Sequence, residues 1–376
     1  MGIDWNSGCY GGPSTTAHIP GAWRIYHHSG DKDFLREAYE FYRELLADGI
    51  KGEHFGYAMD AAICLSKMAT ELEYGEYEAQ KWLDMINIDY YKSGEYFEKR
   101  WDDTNKLFLG NLDNINWINF AYMGMSLFPD DYAKQTAERW LKEGVEDGLF
   151  TDIPLSTVAK KNWDKVSTDF AITPDTNWYM HRGLYLHNVN KLANNAYLTH
   201  LKKYNMNWGI PIAPEGYRKD FTLFGDTYNN FNSGNLDVML EGIGGFNYSV
   251  VDNVFTQADT LPEEWSFMEF YVPIRGKGFN ETKWVHSYVS RNDTGDTVTK
   301  NVTVETDYFQ TVVLKPWNED IVQVESSAQS DNYSFEEIEL NVNRTGYKFS
   351  CDQGNCNGKA SVSLQMRKGG ETDTIE

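Results

Sequence analysis

The residues best suited to chemistry fall in polar segments that each place a carboxylate or an amide beside a Trp or Tyr. One such segment, GIKGEHFGYAMDA (49–61), holds two carboxylates. The last and longest, PEGYRKDFTLFGDTYNNFNSGN (214–235), is too polar and irregular for a core. The candidates of these segments are Trp5, Glu53, Asp60, Trp117, Asp175, Asn177, Trp178, Arg182, Glu215, Asp226, Tyr228 and Asn230.

This mixture of residue types is what sugar binding requires. Aromatic rings stack on the apolar faces of sugar rings, and carboxylates and amides bond the hydroxyl groups. Glycosidic hydrolysis additionally needs one protonated carboxylic acid and one carboxylate that activates water. We therefore treat the polar segments as a predicted glycan site.

Each candidate also has a simpler structural interpretation. Asp60 precedes a predicted helix and could be its N-cap. Trp117 and Trp178 could fill the core, and Arg182 could be the partner of a structural ion pair. The sequence leaves these alternatives open.

The elements that would position these segments are predicted to be helices over residues 1–258. In DKDFLREAYEFYRELLADGI, Asp31 is placed to cap a helix whose apolar stripe comprises Phe34, Leu35, Ala38, Phe41, Tyr42 and Leu45. Aromatic-rich helices alternate with more polar ones, which favours an array of helical hairpins or a toroid. Fewer helices are visible than a closed ring needs, so we expect the chain to lack the first helices of that ring.

Residues 259–368 read differently from the helical part. Short alternating or β-branched runs such as KWVHSYVSRN and DTVTKNVTVET are separated by turns, which is typical of an antiparallel β-sandwich. Cys351 and Cys356 flank a short turn and are expected to form a disulfide. The tail, 369–376, is predicted to be disordered.

The charge balance excludes several partners. A formal net charge of -22 disfavours nucleic acid and anionic lipid, and no apolar stretch is long enough to span a membrane. No visible motif calls for a metal or another cofactor. The chain has no recognisable signal peptide. It does carry glycosylation sequons at Asn247, Asn280, Asn292, Asn301, Asn332 and Asn343, so we expect an extracellular or secretory-lumen location.

The segment ITPDTNWYMHRGLYLHN, followed by a helical pair and GDTYNNFNSGN, resembles inverting six-hairpin (α/α) toroid glycosidases. Glycoside hydrolase family 63 and its trehalase relatives are the most similar, while the terminal β-sandwich is more like the β domains of families 65 and 95. The resemblance implies a mainly α fold, an incomplete toroid followed by a β-sandwich. It also implies that Asp226 is the base, that Trp178 and Arg182 contact sugar, and that Glu53 is the nearest acid candidate.

Two other functions remain open at this point. A polysaccharide lyase would use a Tyr or His base with an Asn or Arg that neutralises a uronate, and Asn177, Tyr179, His181 and Arg182 lie close together in the sequence. A non-catalytic, carbohydrate-binding toroid is the third possibility. The main expectation is an inverting glycoside hydrolase that acts on an oligosaccharide or glycan.

Overall fold

The chain forms two compact units. The first comprises residues 1–26 with 31–235, and the second comprises 27–30 with 236–376. The computed structural model describes residues 13–47, 49–50, 57–108, 123–142, 170–172, 181–200, 214–218, 223–227, 238–316, 321–341, 344–351 and 356–368.

The first unit is built mostly from helices. Its α-helices are α1 (Pro13–Ser29), α2 (Lys32–Leu45), α3 (Tyr57–Glu71), α4 (Glu76–Met85), α5 (Ile88–Lys92), α6 (Glu95–Glu98), α7 (Asp130–Thr136) and α8 (Asn190–His200). A π-helix, Ala137–Leu141, continues α7, and residues 181–186 are also helical. None of the helices in the described residues is long and apolar enough to cross a membrane.

Helix α2 begins as the sequence predicts. The Asp31 side chain accepts hydrogen bonds from the backbone N–H groups of Asp33 and Phe34, which satisfies donors that have no partner within the helix. The buried side chains of the helix are Leu35, Tyr39 and Tyr42. The prediction of the cap is therefore confirmed, but the buried stripe is centred on Tyr39, which the predicted stripe left out.

The aromatic core of the first unit is formed by side chains from α5, α6, β2, the 123–128 segment and the π-helix. Phe97 and Phe108 are fully buried there, and Phe128 packs on both with ring centroids 5.5 and 5.7 Å away. Trp140 is also fully buried, and its indole N–H donates to the Asn105 carbonyl oxygen at 2.9 Å. Each such side chain contributes about 1.5–3 kcal/mol by leaving water.

The first unit also contains strands. They are β1 (Trp101–Asp102), β2 (Leu107–Phe108), β3 (Phe170–Ile172), β4 (Pro214–Arg218) and β5 (Leu223–Thr227). β1 and β2 form a small antiparallel hairpin, and β3, β4 and β5 form a three-stranded antiparallel sheet in that order.

The second unit is a sandwich of two five-stranded sheets. One sheet has the order β12-β15-β10-β9-β8 and the other β13-β14-β11-β7-β6. All pairs are antiparallel except β7 with β11, which is parallel. The strands are β6 (Phe246–Ser249), β7 (Val254–Ala258), β8 (Phe267–Ile274), β9 (Lys283–Thr294), β10 (Thr297–Thr306), β11 (Thr311–Lys315), β12 (Ile321–Asp331), β13 (Ser334–Asn341), β14 (Arg344–Ser350) and β15 (Gly358–Lys368).

The sandwich core is mainly apolar, but in the described part of the chain it also buries polar side chains such as Gln257 and Ser287. Inward positions alternate with outward ones along β9 and β10, as the sequence predicts for strands with one buried face. Lys300 and Asp259 are both fully buried and form an ion pair. Cys351 and Cys356 form the expected disulfide.

The end of α1 belongs to the second unit. The Val250 N–H donates to the His27 carbonyl oxygen at 2.7 Å, and the Lys277 N–H donates to the Ser29 carbonyl oxygen at 2.6 Å. The His28 ring stacks on Tyr248 with centroids 4.3 Å apart. The second unit is therefore made from two separate stretches of the chain.

The prediction of a mainly α chain with an incomplete six-hairpin toroid is wrong. A toroid needs helices to follow one another through 1–258, whereas β1 to β7 lie in that range. The helices after residue 76 are also short, because α4, α5 and α6 are separated at Asn87 and Gly94, whose φ angles are 52° and 80°. A C-terminal β-sandwich is present, but its parallel β7–β11 pair departs from the antiparallel prediction. The predicted bounds 1–258 and 259–368 stay predictions, and the tail 369–376 lies outside the described residues.

Candidate functional site

Helix α3 carries Asp60, which the sequence predicted as a sugar contact. Its first turn reads YAMDAA, and the neighbouring side chains of Met59, Ala61 and Ala62 are buried. Because alanine side chains are small, this turn of the helix can pack closely against its neighbours, and the Asp60 side chain is half-buried there. Asp60 lies inside the helix, and its carboxyl binds another segment instead of capping α3.

The partner of Asp60 is Ser126, which lies 66 residues away along the chain. The Ser126 hydroxyl donates to Asp60 Oδ1 at 2.6 Å, and the Ser126 backbone N–H donates to the same oxygen at 3.3 Å. Burial raises the pKa of the Asp60 carboxyl, and these two hydrogen bonds partly oppose the rise. The net pKa lies above that of an ordinary aspartic acid.

Two positive charges act on the same carboxyl. The guanidinium of Arg182, on the helical residues 181–186, lowers the pKa of Asp60, and the Lys67 ammonium does so as well. Neither charge is strong enough to cancel the effect of burial. Asp60 and Arg182 were both predicted as sugar contacts, and the fold brings them within electrostatic range of each other.

The helical residues 181–186 are held tightly against the segment that carries Ser126. A Cβ atom added at Gly183 would lie only 2.6 Å from the Met123 carbonyl oxygen, so the close approach requires glycine. Just after this helix, His187 contacts the same Met123 oxygen through Nε2 at 2.8 Å and Asp130 Oδ1 through Nδ1 at 2.7 Å. These contacts fix the distance between the Arg182 helix and the 123–128 segment.

A buried aromatic layer lies on the other side of the same helix. His181 is 1% exposed, and its ring meets Tyr197 edge-on at a centroid distance of 5.2 Å. The Tyr185 hydroxyl donates to Asn194 Oδ1 at 2.7 Å, and burial raises the pKa of that hydroxyl well above its usual value. This layer packs against the helix, and burial raises the pKa of the Tyr197 hydroxyl as well.

Cys64 lies one helical turn after Asp60 and is not suited to be a nucleophile. The thiol is free and buried. Burial, with a further contribution from the charge of Asp60, raises its pKa to about 12. A thiol with that pKa stays protonated at neutral pH and reacts poorly.

The arrangement can therefore deliver a proton. Asp60 combines a raised pKa with a fixed orientation from Ser126, which are the two properties that a general acid needs. In the described part of the chain, no group of three His, Cys, Asp or Glu side chains converges to bind a metal ion.

The other predicted residues fall into two groups. Glu215 lies in β4 and Asp226 in β5; Pro214 and Thr227 are register partners in these adjacent strands, so Glu215 and Asp226 occupy neighbouring backbone positions. The candidates that lie outside the described residues are Trp5, Glu53, Trp117, Asp175, Asn177, Trp178, Tyr179, Tyr228 and Asn230.

Ser126 is the residue that the sequence did not reveal. It stands in a short run, MGMSLF, that reads as an apolar helix, and no local pattern links it to Asp60. Only the fold makes them neighbours.

Comparison with known proteins does not assign the chain to a family. No protein-family model matches the chain, and no curated protein matches it. The predicted membership of the six-hairpin glycosidases thus has no support from sequence comparison, in agreement with the observed fold.

Proposed function

We propose that the protein is a glycoside hydrolase that cleaves O-glycosidic bonds of an oligosaccharide or glycan by an inverting acid/base mechanism. The observation that carries the proposal is the Asp60 carboxyl, which has a raised pKa, accepts a hydrogen bond from Ser126 and lies near Arg182. An acid of this type can protonate the leaving oxygen of a glycosidic bond at a pH where an ordinary aspartate is ionised.

We propose Asp60 as the acid in place of Glu53, because burial raises the pKa of Asp60 and Ser126 orients its carboxyl. Glu53 lies outside the described residues. Asp226 remains the proposed base that activates water, and Glu215 is its neighbour on the adjacent strand. An inverting pair needs a separation of roughly 6.5–9.5 Å between its carboxyl groups, which leaves room for the attacking water. The guanidinium of Arg182 is suited to bind a sugar hydroxyl beside the acid.

A lyase is less well supported. It would need His181 as an accessible base, whereas the His181 side chain is 1% exposed and packs against Tyr197. A base buried in this way cannot reach the proton that elimination removes from a polymer. The nearby Tyr179 and Asn177 lie outside the described residues.

The test compares the chain with its Asp60→Asn variant on a panel of neutral and uronate-containing oligosaccharides. Mass spectrometry identifies the products. We expect products that carry one added water, and a rate that falls about a hundredfold or more in Asp60→Asn because the proton donor is lost. Asp131→Asn is the matched control, because Asp131 is an exposed aspartate in the first turn of another helix.

Three outcomes would overturn the proposal. Unsaturated products without added water would indicate a lyase, and the absence of products across the panel would indicate a binding protein. An Asp60→Asn variant that hydrolyses as fast as Asp131→Asn would exclude Asp60 as the acid.

We also propose a secretory or extracellular location. The Cys351–Cys356 disulfide fits an oxidising compartment. Sequon asparagines Asn247, Asn280, Asn292 and Asn332 are exposed on the second unit. Protein isolated from its natural source should gain mobility on a denaturing gel after peptide N-glycosidase treatment, and unchanged mobility would contradict the location.

A further inference from the structure

The outer face of the β8–β9–β10 region carries an unusual group of exposed aromatic side chains. Burial alternates along β8 and β9, so every second residue points away from the sandwich core. On this face Phe267 is 56% exposed, Tyr271 64% and Trp284 51%. Exposed aromatics this close together mark a binding surface more often than a solvated one.

The aromatic rings are organised by the strand register. Tyr271 faces His286 across β8 and β9, and their rings stack with centroids 4.5 Å apart and planes 8° apart. Phe267 stacks on Tyr288 with centroids 6.1 Å apart. β8 is the edge strand of its sheet in the described part of the chain, so the second ring faces of Phe267 and Tyr271 are not covered by a further strand.

A row of polar groups crosses the same face at right angles to the strands. His286 Nε2 lies 2.8 Å from Glu269 Oε1, and His286 Nδ1 lies 3.7 Å from Glu305 Oε2. Glu305 Oε1 in turn lies 3.1 Å from Lys359 Nζ. Each carboxylate on this row lies beside a basic side chain, and its oxygens keep further lone pairs that can accept hydrogen bonds.

These features select among the possible occupants. An anionic polymer would be repelled by a chain whose net charge is -22. A strongly cationic polymer would find the carboxylates already paired. A purely apolar surface would remove the charged row from water without replacing its hydrogen bonds, which is costly. A neutral ligand with apolar faces and many hydroxyl groups can pack on the aromatic rings and also donate hydrogen bonds to the carboxylates of the polar row.

We propose that this face binds a neutral glycan chain, with Phe267, Tyr271 and Trp284 packing on sugar rings and Glu269 and Glu305 accepting hydrogen bonds from sugar hydroxyls. Phe267 and Tyr271 are four residues apart on one strand, which places them about 13 Å apart. One sugar ring cannot cover both, so the face recognises a chain of several units. This binding does not depend on hydrolysis at Asp60.

The test is native affinity electrophoresis of the full chain in gels that contain a dissolved polysaccharide. The neutral probes are hydroxyethylcellulose, laminarin, glucomannan, galactomannan and soluble starch, and the charged probes are polygalacturonate and chitosan. We expect retardation by at least one neutral probe. Tyr271→Ala and Trp284→Ala should each weaken that binding about fivefold or more, because each removes an aromatic platform.

Three variants serve as controls. Tyr271→Phe keeps the ring and should keep the binding. Phe335→Ala removes a 49% exposed aromatic from β13 in the opposite sheet and should leave the binding unchanged. Asp60→Asn should bind like the unaltered chain, so a failure of the proposed hydrolysis can be told apart from a failure of this binding face.

The proposal is overturned if no neutral probe retards the chain, or if only the charged probes do. It is also overturned if Tyr271→Ala and Trp284→Ala migrate like the unaltered chain, or if Phe335→Ala loses as much binding as they do. Unchanged thermal unfolding of the face variants, whose altered side chains are exposed, verifies that each is folded.

Discussion

Each unit of the molecule contains an aspartate that is at least half-buried, and the two aspartates have different hydrogen-bond partners. In the second unit Asp259 is fully buried and bound to the equally buried Lys300. In the first unit Asp60 is half-buried and bound to the neutral hydroxyl of Ser126. Asp259 has a buried ammonium group as its direct partner, whereas Asp60 has a hydroxyl partner and burial raises its pKa. The two sites therefore differ in the groups that their carboxyl oxygens contact.

The Asp259 site is fixed on several sides. Its Oδ1 also accepts a hydrogen bond from the Leu261 N–H at 3.2 Å. The ion pair is fully buried, and such pairs are costly to break because one charge is then left uncompensated in the core. Among the described residues, no cation forms a direct ion pair with Asp60, whose hydrogen-bond partner is Ser126.

Breaking the buried pair should have the largest effect on stability. Lys300→Met leaves Asp259 buried without its partner, and we expect the free energy of unfolding to fall by about 3–5 kcal/mol in chemical denaturation. Lys348→Met is the control, because Lys348 pairs with Glu336 at the surface and should lose less than about 1 kcal/mol. The double variant Lys300→Met/Asp259→Leu should recover much of the loss. A Lys300→Met variant as stable as Lys348→Met would contradict this account.

Disturbing the support of the Asp60 site should have an intermediate effect. Gly183→Ala forces a Cβ against the Met123 backbone, so we expect a loss of about 1–3 kcal/mol in unfolding free energy. The matched control is Gly21→Ala in α1, where an added Cβ meets nothing within 4 Å. There alanine should be neutral or stabilising by up to about 1 kcal/mol, since glycine is a poor helix former. Equal effects at the two positions would mean that the close helix contact is unimportant.

The smallest and most specific effect concerns the charge near the acid. Because the guanidinium of Arg182 lowers the pKa of Asp60, Arg182→Met should raise that pKa further. A carbon-13 titration of the Asp60 carboxyl can measure the shift without relying on activity. Since a general acid works in its protonated form, the alkaline limit of hydrolysis should move to higher pH. Lys67→Met should shift the pKa in the same direction but less, and Lys142→Met should leave it unchanged.

The strands of the second unit and one helix start could be predicted from the sequence because their signals are local. Alternation in KWVHSYVSRN predicts β9, and Asp31 before DFLREA predicts the start of α2. The Cys351–Cys356 disulfide also follows from short spacing. None of these predictions requires knowledge of distant contacts.

The prediction of a toroid was wrong because local helix signals do not reveal where a helix ends. Asn87 and Gly94 adopt left-handed conformations that end helical turns, yet both stand in runs with strong helical periodicity. For a related reason, the sequence predicted only part of the site formed by Asp60, Ser126 and Arg182. Asp60 and Arg182 were recognisable from their neighbours, but Ser126 becomes a partner only when the chain folds.

The participation of residues 27–30 in the second unit has a consequence during biosynthesis. Those residues leave the ribosome before Val250 and Lys277, to which they bind and which follow more than 200 residues later. At ~5–20 residues per second, that gap is roughly 10 to 50 seconds of translation. During this interval the contacts of residues 27–30 with Val250 and Lys277 cannot form, and a protease or a chaperone can reach the nascent chain before the second unit is complete.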